Sequence, residues 1–145
     1  MKLKNLHGVV GGSTVVVFLG TGLFMRMQFP DIYEENEVIR FLFRANHVYL
    51  LFSGLLNVMA GLEFSSPRIA WKKALYVTGS WLLILSSPLF LGAFIIEPLQ
   101  ANPMRPLTIT SVFLSFVGVA FHAIATWRPE IPTLRRTSDP PTSEL

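Results

Sequence analysis

The segment Ala74–Ile96, ALYVTGSWLLILSSPLFLGAFII, runs 23 residues without a charge between Lys72-Lys73 and Glu97. A helix needs about 20 apolar residues to cross the roughly 30 Å hydrocarbon core of a bilayer. This stretch alone therefore points to a membrane. Three more uncharged runs have the same character: Asn5–Met25, Ala45–Leu62 and Pro106–Trp127, of 21, 18 and 22 residues. Charged residues are only 14% of the 145, against about 25% in a soluble domain, and mean hydropathy is +0.49. The expected fold is all-α: an integral membrane four-helix bundle, antiparallel up-down-up-down, with spans at about 6–27, 41–62, 74–96 and 106–127. Residues 1–127 form one domain in this reading, and 128–145, with four prolines among Ser, Thr and charges, form a flexible cytoplasmic tail.

Asn5–Met25 follows Lys2 and Lys4 and could be mistaken for a signal peptide. It exceeds the ~7–15 residues of a signal h-region and no Ala-x-Ala-like site follows, so it is expected to stay as a span.

All ten glycines lie inside the four runs, where they act as packing residues and not as turns. Gly8 and Gly12 make a Gly-xxx-Gly pair on the first helix. On the second, Gly54 and Gly61 accompany a polar stripe of Asn46, Ser53 and Asn57, expected to hydrogen-bond across helices for roughly 0.6 kcal/mol each. Pro88 lies inside the third span, after Ser86 and Ser87, and predicts a kink there.

Lysine and arginine set the orientation. The N-terminus, the middle loop and the C-terminal tail hold eight, while Arg26, Arg40, Arg44 and Arg105 make four on the other side. The positive-inside rule then puts both termini in the cytoplasm, with the chain in a cell inner (plasma) membrane. Trp71 and Trp127 fall at the cytoplasmic ends of their spans as interfacial anchors, whereas Trp81 lies deeper.

The segment Arg26–Leu51 carries the strongest hint of a site. Asp31 and Glu34 are spaced as a capping box, which predicts a short outer helix over about 31–40 leading into the second span. On that helix Glu37, Arg40, Arg44 and His47 fall within an arc of roughly 80° at 100° per residue. Arg40 and Arg44 repel each other, so an anion between them is expected: Glu37, a lipid phosphate or a ligand carboxylate. Two readings are open. The arginines snorkel to headgroups, or Arg40, Arg44 and His47, closed by Tyr33 or Glu37, bind an anionic or amphipathic ligand.

Among the histidines, His47 and His122 lie roughly 13 Å apart in depth at 1.5 Å per residue, too far to share one haem. His7 and His122 sit closer in depth and are the remaining candidates for a cofactor. No motif indicates haem or quinone, however, and no metal site is expected. The absence of cysteine removes thiolate sites and disulfides. The scattered basic residues form no stripe for nucleic acid. Neither Gly-x-Ser-x-Gly nor His-Glu-x-x-His occurs. With no Asp, Glu or Lys counted inside a span, ion-driven transport is disfavoured. The expected function is that of a non-catalytic accessory or self-associating subunit, in contact with lipid and with itself as a homo-oligomer or with a larger membrane complex. The alternative is a binder or enzyme acting on an anionic lipid, quinone or other amphipathic ligand at the outer-leaflet Arg/His pocket.

Overall fold

Uninterrupted apolar composition becomes uninterrupted helix. The computed structural model describes residues 3–32, 35–62, 67–100 and 104–127, and holds four helices. They are α1 (Leu3–Ile32), α2 (Glu37–Leu62), α3 (Ala70–Gln100) and α4 (Pro106–Thr126). All four are long and apolar enough to cross a membrane. Helix α1 packs on α2, α2 on α3, and α3 on α4, with a lighter contact between α1 and α3.

Helices run past the first charge because a charge does not break the backbone ladder. Helix α3 exceeds the uncharged run by four residues at each end and takes in Glu97. The expectation that no Asp or Glu lies within a span therefore fails at Glu97. A second departure concerns the start of α2. Asp31 and Ile32 belong to α1, and α2 opens at Glu37, so a helix over 31–40 is not formed. The cap is Asn36, whose Oδ1 accepts the N–H of Ile39 at 3.1 Å while its carbonyl accepts that of Arg40 at 3.1 Å. Tyr33, Glu34 and the tail from Arg128 lie outside the described residues.

Two glycine crossings set the tightest contacts. A Cβ on Gly11 would stand 2.6 Å from the Val58 nitrogen and 2.8 Å from the Gly54 oxygen, which joins α1 to α2. A Cβ on Gly79 would stand 2.8 Å from the Gly118 oxygen, which joins α3 to α4. Only hydrogen at these four positions allows backbones to approach so closely. Gly61 likewise lies against the backbone of Gly8, whereas Cβ atoms on Gly8 or Gly12 would meet nothing.

The interior is more polar than the outside, as expected when the solvent is hydrocarbon. Val16, Leu19, Phe41, Ile109 and Phe113 are exposed, while Asn46, Ser53, Asn57, Ser80 and Ser87 are buried. Apolar packing is concentrated around Phe29, Phe43, Phe90 and Phe94, near the α3–α4 turn.

The two prolines of α3 are answered by the two asparagines of α2. A proline gives no N–H to the carbonyl four residues back and its ring opens the preceding turn. Asn57 Nδ2 donates to the Leu83 carbonyl at 3.1 Å and Asn46 Nδ2 to the Ala93 carbonyl at 2.8 Å. Each accepting carbonyl lies five residues before a proline, Pro88 or Pro98. Ser53 and Ser87 complete the seam with a 2.6 Å hydroxyl pair, and Asn57 Nδ2 also reaches the Ser87 hydroxyl.

Candidate functional site

Three polar groupings stand out, and the one at the α3–α4 turn holds the most charge. Helix α4 begins with Pro106 after Arg105, and the Arg105 side chain makes no capping bond. The cap comes instead from α3: Glu97, only 2% exposed, accepts the Thr108 N–H on Oε1 at 2.9 Å and the Thr108 hydroxyl on Oε2. A carboxylate here faces the positive end of the α4 dipole. Arg105 brings its Nε to 3.6 Å from Glu97 Oε2, and its Nη2 donates to the Asn46 side-chain oxygen and to Thr108 Oγ1. One charge pair and its hydrogen bonds thus tie α2, α3 and α4 together. The carboxylate is neutralised in place, which makes its burial tolerable.

Arg105 also faces outward. Its side chain is 18% exposed. It lies 5.7 Å from the centre of the Tyr49 ring, which itself stacks on Phe90. Tyr49, Arg105 and Thr108 line a groove of about 530 Å³ between α2 and α4, continued by the apolar Val112, Phe113 and Phe116. A groove with a guanidinium and a tyrosine at one end and aromatic walls beyond it can accommodate a molecule with a polar head and an apolar body.

The Arg–His stripe of α2 is placed differently. Glu37 and Arg44 are exposed. The Arg40 guanidinium lies 6.0 Å from the centre of the Phe29 ring. His47 turns to α1, where its Nδ1 meets Thr21 Oγ1 at 2.9 Å and its ring stacks on Phe18 at 4.1 Å. None of the three described cavities is lined by Glu37, Arg40, Arg44 or His47.

At the opposite end of α4, His7 and His122 come together with ring centres 6.3 Å apart. His7 Nδ1 bonds the Asn57 side-chain oxygen at 2.8 Å, and the Tyr76 ring lies 4.6 Å from that of His122. Nearby, Lys72 Nζ donates to the Trp127 carbonyl at 2.8 Å, fastening the start of α3 to the end of α4.

Glu97 and Tyr49 were not singled out from the sequence. Counting spans only between charges excluded Glu97 by one residue, although opposite charges eight apart around a short proline-bearing turn were a readable signal. Comparison of the chain with models of protein families, with curated proteins and with solved structures finds no match.

Proposed function

We propose that this is a small, non-catalytic, multi-pass inner-membrane protein. In this reading it holds an amphipathic ligand in the groove between α2 and α4, with the ligand's polar head at Arg105. The helices alternate in direction, a reading supported by the pairing of early α2 with late α3 (Asn46 to Ala93) and late α2 with earlier α3 (Asn57 to Leu83). Both termini then lie on the cytoplasmic side, where eight of the twelve Lys and Arg residues fall.

The observation that carries the ligand reading is the fixed, partly exposed guanidinium at the head of an aromatic groove. Asn46 and Thr108 accept from Nη2 and Glu97 Oε2 lies 3.6 Å from Nε, which has no hydrogen-bond partner among the described residues, and the side chain stays 18% exposed. That leaves a charged donor, beside the Tyr49 ring, for an anionic or carbonyl oxygen. Anionic lipids and quinones share this head chemistry. Arg105 offers the same head chemistry that the sequence suggests for Arg40, Arg44 and His47. The exposed Arg44 suits contact with lipid headgroups.

Native mass spectrometry of the gently extracted protein tests it. The wild type should retain one amphipathic molecule per chain. Ile109→Trp, which fills the groove while leaving Arg105 and Glu97 themselves unchanged, should lose it while the helices stay intact. Equal retention by both would overturn the reading.

Self-association or service as an accessory subunit is favoured by a separate feature. Gly8, Gly12 and Gly20 have open space where a Cβ would project, which gives α1 a flat outer face. Crosslinking in the membrane that returns only isolated chains would remove this reading.

A further inference from the structure

His7 is fully buried and its two ring nitrogens are treated unequally. The two N–H groups of the Asn57 amide are shared among three acceptors, the Ser53 and Leu83 carbonyls and the Ser87 hydroxyl, so its oxygen faces His7 as an acceptor. His7 Nδ1 must therefore carry the proton, and Nε2 holds a lone pair. That Nε2 is buried without a hydrogen-bond partner among the described residues. A histidine that donates one N–H to a fixed oxygen and keeps the other nitrogen bare is arranged as a metal ligand. A second imidazole, His122, stands at the right distance. Two imidazoles bound through nitrogen to one ion, at about 2.0 Å each, have ring centres about 6 Å apart, and the observed separation is 6.3 Å.

We propose that His7 and His122 form a two-coordinate binding site for a cuprous ion between α1 and α4. The donor set selects the ion. No group of three or more His, Cys, Asp or Glu occurs among the described residues, so these supply fewer than the four ligands of a structural zinc site. Two neutral nitrogens in a low-dielectric setting favour a single positive charge over two, and imidazole is a good copper ligand. A haem does not fit, because His7 is fully buried, is bonded to Asn57 and lines none of the described cavities. A bare ion needs no such slot. Access is from the side of His122, which lines a cavity of about 530 Å³ together with the soft thioether of Met59.

The test is anaerobic titration of the detergent-solubilised full chain with Cu(I) against a chromogenic chelator, followed by copper X-ray absorption on the loaded wild type. The expected result is one Cu(I) per chain with a first shell of two nitrogens. His7→Ala and His122→Ala should each weaken binding by at least about a hundredfold, at or above the loss seen when only an outer-shell partner is removed. Helical circular dichroism of each variant checks that the fold survives. The absorption spectrum of the wild type tests the site even where a variant does not fold. Absence of stoichiometric Cu(I), a sulfur-only or oxygen-rich shell, or retained affinity in either folded variant would overturn the proposal.

Discussion

Glu97 and Arg105 show how a charged pair is made acceptable inside an apolar protein. The carboxylate takes two bonds from Thr108 and the guanidinium gives two from Nη2, so neither charge relies on the 3.6 Å ion contact alone. Removing one partner strands the other, and Glu97→Leu should cost about 3–5 kcal/mol of stability. Replacing both with Glu97→Gln and Arg105→Met should cost clearly less than the two single changes added together. Thermal or denaturant unfolding in detergent reads this cycle, and strict additivity would mean that the pair is not a unit.

At the scale of the element, two glycine crossings and two proline–asparagine pairings hold the helices together. The glycines allow a sharp contrast between neighbours. Gly11→Ala forces a methyl to within 2.6 Å of the Val58 backbone, which cannot give way, whereas Gly12→Ala enters open space. The first should destabilise the chain by roughly 1–3 kcal/mol and the second should leave it near wild type, as unfolding in detergent would show. The sequence made helix number and approximate extent legible, because apolar runs of 18–23 residues have one stable state in lipid. It also marked Asn46, Ser53 and Asn57, now seen as the seam between α2 and α3. Which glycine of Gly11 and Gly12 faces a neighbour was not legible, since the two differ only by 100° of rotation on a helix that is apolar all round. The cap at Asn36 was hidden by the better-looking Asp31–Glu34 spacing. Glu97 was hidden because a charge was taken as the end of a span, when its neutralising partner lay across a turn.

For the whole molecule, the two ends of the chain should lie on the same side of the membrane, with the gap between α2 and α4 as the working surface. Reporter fusions at both termini, expressed in a bacterial inner membrane, should both report the cytoplasm, and opposite locations would break the up-and-down arrangement. Photocrosslinking reads the occupancy of the groove directly. A photoreactive phenylalanine analogue in place of Phe113, on the groove wall, should capture in intact membranes one amphipathic species with an anionic or carbonyl head. The same analogue in place of Phe41, as exposed as Phe113 but outside the groove, should capture bulk lipid. Capture at Phe113 should fall when Arg105 is changed to Leu. If the label at Phe113 instead returns lipids in the proportions of the surrounding membrane, with or without Arg105, the groove is ordinary lipid-facing surface and holds no ligand.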